Sequence, residues 1–111
     1  MTTNWDELEG WPLNVALCRL MGWTDFKKGQ GYWVGTKDGQ QRVLPDYANS
    51  IDAQIRDLVP KLGPDTEYAV MNRKSPSAWA GRDSLMLYFA DGGFPALALG
   101  RAFGKALEAT K

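Results

Sequence analysis

The richest chemistry in this sequence lies between Asn72 and Arg82, which reads NRKSPSAWAGR. Arg73, Lys74 and Arg82 supply cations, Ser75 and Ser77 supply hydroxyls, and Trp79 supplies an indole. Arg and Lys pair with phosphate oxygens, and a Trp face stacks on a base or fills a pocket in another protein. Gly92-Gly93 adds a second signal. It precedes a helix start, where free backbone N–H groups and the helix dipole favour an anion, so Gly93 joins the candidate ligand-binding residues. Gly29-Gln30-Gly31 lacks the Lys-Ser/Thr ending of a triphosphate loop and reads as a turn.

Catalysis is poorly supplied. The chain has no His, the usual general base near neutral pH and the commonest metal ligand. Its single Cys, Cys18, sits between Leu17 and Arg19 on a helical stretch and reads as a packing residue. One Cys also forms no intramolecular disulfide and no Cys-based zinc site. Asp46, Asp52, Asp57, Asp83 and Asp91 follow no spacing that dictates a pair; two of them holding magnesium through water is the metal alternative. The expectation is a non-enzyme without cofactor or metal. Thirteen Lys plus Arg balance thirteen Asp plus Glu, which argues against a generic nucleic-acid binder.

These residues need elements to position them. A first helix is expected from Asn4 to Gly22, with Asn4 and Glu7 as a capping box, or else starting at Pro12. Tyr32–Val34 and Gln41–Leu44 flank Asp38-Gly39, a strong hairpin signal. A second helix is expected from Ser50 to about Leu58, ended by Pro60 and Gly63-Pro64. Tyr68–Asn72 and Ser84–Phe89 read as strands, with Arg73–Asp83 as a long exposed loop between them. Pro95 opens a third helix running to about Ala109. The order α-β-β-α-β-β-α predicts one α+β domain over residues 1–111. Its two hairpins would form an antiparallel four-stranded sheet. Leu85, Met86, Leu87 and Phe89 are apolar on both alternating faces, which predicts helices on either side, an α-β-α sandwich.

Two further sets concern contacts. Ala96, Gly100 and Gly104 recur every four residues on the last helix and let another backbone approach, either within the chain or as a homodimer interface. Trp23 and Trp33 lie beside core-like segments, whereas Trp5, Trp11 and Trp79 fall at element ends or in loops. Trp is enriched where proteins meet, so Trp5 and Trp11 join the interface candidates.

Leu20-Met21-Gly22-Trp23 followed by Tyr32-Trp33, the Asp-Gly hairpin, Leu44-Pro45-Asp46-Tyr47 and the closing Pro95-Ala96-Leu97-Ala98 helix resemble the phage ABA sandwich domain family of bacteriophage and prophage proteins. The resemblance spans nearly the whole chain and implies an α-β-α sandwich and a phage origin. It brings no chemistry and no site residues, and it does not account for the Arg73–Asp83 insert or the Gly100/Gly104 spacing.

The sequence thus predicts a phage-type binding protein, a counter-defence protein that sequesters a phosphorylated or cyclic nucleotide signal. The rival expectation is a protein–protein inhibitor of a host defence complex such as a CRISPR effector. The N-terminal MTTNWDELEG carries acids where a signal peptide has Lys or Arg, and no apolar run approaches a membrane span. The expected setting is the host bacterial cytoplasm, without membrane or direct nucleic-acid contact.

Overall fold

The computed structural model describes residues 3–71, 74–82 and 85–109, with the backbone alone at 82 and 85–87. A 3-10 turn at Trp5–Glu7 is followed by helix α1 (Gly10–Leu20) and strands β1 (Thr24–Lys28), β2 (Trp33–Lys37) and β3 (Gln40–Val43). Then come helix α2 (Ile51–Leu62), strands β4 (Thr66–Met71), β5 (Ser77–Arg82) and β6 (Leu85–Asp91), and helix α3 (Pro95–Ala109).

The class is α+β, but the expected four-stranded sheet is replaced by two separate three-stranded antiparallel sheets, β1-β2-β3 and β4-β5-β6. Two strands escaped the sequence pattern for different reasons. In β1 only Phe26 is even half-buried, so no apolar alternation marks it. Its pairing also shifts register between Thr24 and Lys27, where Asp25 takes a left-handed φ of 54°. The second is β5, expected as an exposed loop. It is the central strand of its sheet, and its buried residues are small because α3 packs directly on it: Ala78 and Ala80 are fully buried.

The layer order is also corrected. Ten of the fifteen residues of α3 are buried, the signature of a helix enclosed on all sides. One side of α3 meets β4, β5 and β6, with Phe103 edge-on to Tyr68 at 5.5 Å. Another meets α1 and α2. The first sheet packs against α1 through Trp33 on Trp11 at 5.9 Å and Phe26 under Arg19 at 5.4 Å. Helices therefore lie between the sheets, the reverse of the α-β-α sandwich expected from the sequence and the resemblance. The second sheet keeps one face open, where Phe89 is 47% exposed.

Local rules explain several boundaries. Asp38 and Gly39 both adopt positive φ, the two-residue turn whose twist suits a β2–β3 hairpin. Ser50 caps α2 by accepting from Ala53 N at 3.2 Å. That helix passes through Pro60 and ends at Leu62, past the expected stop, because a proline in the last turn removes only one backbone donor. The capping box at Asn4 does not form: Asn4 makes no side-chain cap bond, and α1 begins only at Gly10. At the β6 edge, Arg101 and Lys105 donate to the carbonyls of Asp91 and Phe89 at 2.7 and 2.6 Å. Cations from the following helix thus close acceptors that an edge strand would leave open.

Candidate functional site

The corner after β3 carries the site. Asn14 on α1 is fully buried and holds that corner: its Nδ2 donates to Pro45 O at 2.8 Å, and its Oδ1 accepts from Tyr47 N at 2.7 Å and Ala48 N at 3.2 Å. Gln54 of α2, also fully buried, donates from Nε2 to Tyr47 O at 2.6 Å and to Ala96 O at 2.9 Å. Two amides thus fasten the corner to α1, α2 and α3. Tyr47 is thereby fixed with its hydroxyl donating to Asp57 Oδ2 at 2.8 Å. Asp57 in turn receives a two-pronged contact from Arg56, with Nε to Oδ1 at 2.8 Å and Nη2 to Oδ2 at 2.9 Å.

These contacts set the titration behaviour. Hydrogen bonding from Arg56 outweighs desolvation and holds the Asp57 carboxyl below its usual range, with Tyr47 and the charge of Lys37 adding to the effect. Burial, then the bond to Asp57, pushes the Tyr47 hydroxyl well above the usual phenol range. Burial likewise pushes the Cys18 thiol up to about 12.

The hairpin supplies the other wall. Gly35 pairs with Arg42 and Lys37 with Gln40, so Lys37 and Arg42 share one face of the hairpin on a diagonal. Gly35 leaves room for Trp23: a β-carbon at position 35 would lie 3.2 Å from Trp23 Cε3 and 2.9 Å from Leu44 Cδ2. Lys37 Nζ stands 6.0 Å and the Arg42 guanidinium carbon 5.5 Å from the centroid of the buried Trp23 ring. Among the described residues neither cation has a carboxylate partner. Lys37, Arg42, Arg56, Asp57, Trp23 and Tyr47 line one cleft of about 470 Å³, where three cations face one carboxylate. A cation over an indole gains about 0.5–2 kcal/mol and keeps its N–H edge available for a ligand.

The residues expected from sequence are scattered instead. Arg73 lies outside the described residues, as does the side chain of Arg82. Lys74 and Ser75 are exposed ahead of β5, whereas Ser77 is buried within it. Trp79 is half-buried in the middle of β5, opposite Ala69 and Phe89. Ser75 and Gly93 do line a common cleft of about 580 Å³, with Glu9, Asp91, Phe94 and Arg101. Its guanidinium is committed to Leu8 O at 2.9 Å and Asp91 O at 2.7 Å, and two carboxylates share the lining, a poor setting for an anion.

The small-residue stripe is filled within the chain. Gly104 faces Trp5, which is 3% exposed, and Gly100 faces Gln54, Leu13 and Leu17. Ala96 is buried beside Gln54. Only Trp11 of the interface candidates keeps substantial exposure, and it leans on Trp33. No group of three or more His, Cys, Asp or Glu suited to a metal ion occurs among the described residues. Among the same residues no helix is long and apolar enough to cross a membrane.

Sequence reasoning missed Lys37, Arg42 and Arg56 because they come from three elements. One signal was readable: a two-residue Asp-Gly turn fixes the register that puts Lys37 and Arg42 on one face. No family model, curated protein or solved structure matches the chain.

Proposed function

We propose that this chain is a non-enzymatic binding protein that captures a phosphorylated small molecule, of the nucleotide-signal class, in the cleft beside Trp23. The observation that carries the reading is the pair Lys37 and Arg42, two cations without carboxylate partners among the described residues, both over one buried indole. An anion entering there would gain charge-assisted hydrogen bonds from groups held in place by ring contact. Proton affinities count against chemistry beyond binding. The Cys18 thiol and Tyr47 hydroxyl are both held protonated well above neutral pH, and Asp57 is tied to Arg56. None of them suits a general base near neutral pH. The phage setting rests on the short motifs from Met21-Gly22-Trp23 to Leu44-Pro45-Asp46-Tyr47 alone, since the sandwich their resemblance implies is not the observed layer order, and the counter-defence role follows from a nucleotide-signal ligand in that setting.

A native mass spectrum of the protein purified from bacterial cells, followed by addition of a nucleotide mixture, tests this reading. Added mass in the nucleotide range on the wild type, lost in Arg42→Glu, is the expected result. A bare chain under both conditions contradicts it.

One observation favours the rival reading of a protein partner. Trp79 pairs across the strands with Phe89 on the face of the second sheet turned away from α3. An exposed Phe beside a half-buried Trp is the kind of aromatic pair that anchors protein interfaces. Loss of a pulled-down host protein in Phe89→Ser, with nucleotide binding absent in the wild type, is the result that would favour it.

A further inference from the structure

The Trp23 cleft holds its cations in two different states. Arg56 is already neutralised by the two-pronged contact to Asp57, whose second partner is the Tyr47 hydroxyl. Lys37 and Arg42 are not neutralised among the described residues. The cleft therefore carries two positive charges in excess of its one carboxylate, which is paired with Arg56 and also feels the charge of Lys37. A terminal phosphate monoester carries about −1.5 to −2 charge near neutral pH, whereas a cyclic phosphodiester carries a single charge. We infer that the juxtaposition of Lys37 and Arg42 on the Trp23 ring selects a terminal phosphate monoester over a cyclic phosphodiester. This inference rests on the proposed ligand reading and narrows it to one of its two nucleotide classes.

Geometry adds to the charge match. The guanidinium carbon of Arg42 lies 5.5 Å from the indole centroid, and the N–H edge of its planar fork matches phosphate geometry. That edge bonds two oxygens at once. Lys37, a compact ammonium on the facing strand, is placed to take a third. A monoester has three terminal oxygens to satisfy this set. A cyclic diester has two, and its ring oxygens are weaker acceptors bonded to carbon. Gly35 is part of the device, because a β-carbon there would crowd Leu44 and the Trp23 ring beneath both cations.

The test is isothermal titration calorimetry near neutral pH and low salt, with adenosine 5′-monophosphate, 3′,5′-cyclic adenosine monophosphate and inorganic phosphate as probes. The monophosphate is expected to bind the wild type about tenfold or more tighter than the cyclic diester, and inorganic phosphate to compete with it. Arg42→Ala should weaken monophosphate binding by about tenfold to a hundredfold, the scale of a charged hydrogen bond. Arg42→Lys, which keeps the charge and loses the fork, should fall between. Arg42 is exposed, and far-UV circular dichroism of each variant establishes that it is folded. A cyclic diester that binds as tightly as the monophosphate, or tighter, overturns the selectivity while leaving a nucleotide ligand standing. Failure of all three probes to bind overturns both the selectivity and the ligand reading beneath it.

Discussion

Gly104 of α3 faces the Trp5 indole so closely that a β-carbon there would lie within 2.6 Å of Trp5 Cδ2. The contact straps the N-terminal segment along the end of the chain. Glu108 completes it, accepting from Thr3 N at 3.2 Å and from Trp5 Nε1 at 3.3 Å. Gly104→Ala gains about 1 kcal/mol of helix propensity. It loses about 1–3 kcal/mol by forcing a large, buried ring to move. Net destabilisation is expected, read as a lower denaturation midpoint with altered tryptophan fluorescence. Gly93→Ala, where a β-carbon meets nothing within 4 Å, should change the midpoint little.

Asn14 satisfies two backbone N–H groups and one carbonyl of the corner that carries Tyr47. Asn14→Ala leaves these groups buried and unpaired, each at a cost of about 1–3 kcal/mol when unrelieved. A loss of about 2–4 kcal/mol is expected after relaxation, measured by urea denaturation. A loss below 1 kcal/mol would mean that the corner is held by other contacts.

The alkaline limb of stability follows from Tyr47 and Cys18. Both pKa values are raised in the folded chain, Cys18 from 9.0 to about 12, so the folded state favours their neutral forms. That contribution is fully present below the unfolded values, 9.0 for Cys and 10.0 for Tyr, and is lost as pH rises toward the folded ones. Unfolding free energy should fall as pH climbs above about 9, and Tyr47→Phe should flatten the decline. Cys18 should resist thiol reagents near neutral pH until the chain unfolds, since the thiolate is the reactive form. Asp57 works in the opposite direction: its lowered pKa gives stability above the ordinary value of 3.8 that is lost as pH falls. The effect is small because the pair with Arg56 is solvent-exposed.

Ala80 tests the corrected architecture. It is fully buried in β5 with α3 packed on that strand. Ala80→Leu should destabilise by about 1–3 kcal/mol through overpacking. The exposed loop expected from sequence would accept the same change with almost no effect.

Legibility followed chemistry that acts locally. Asp38-Gly39 announced its hairpin because few residues tolerate two positive φ angles in succession. Pro95 marked the start of α3 because its missing N–H is one that a helix start leaves unpaired anyway. What stayed hidden depends on distant contacts. Ser77–Arg82 looked like a loop because Ala and Gly carry no strand signal, and their smallness makes sense only once α3 lies on them. Thr24–Lys28 looked polar because it is an edge strand with little to bury. The candidate site was legible only in halves. The hairpin register put Lys37 beside Arg42, but nothing local connected that pair to Trp23 or to the Tyr47–Asp57–Arg56 chain. The Asn72–Arg82 run offered its polar residues as neighbours in sequence, but among the described ones Lys74 and Ser75 lie exposed ahead of β5 while Ser77 is buried within it.

The most direct test of the cleft is an NMR titration of the tryptophan indole N–H signals with adenosine 5′-monophosphate, assigned through Trp23→Phe and Trp79→Phe. A ligand held by Lys37 and Arg42 should move the Trp23 signal in a saturable way and leave Trp79 in place. Signals that all stay fixed, or a shift confined to Trp79, would contradict a phosphate site beside Trp23.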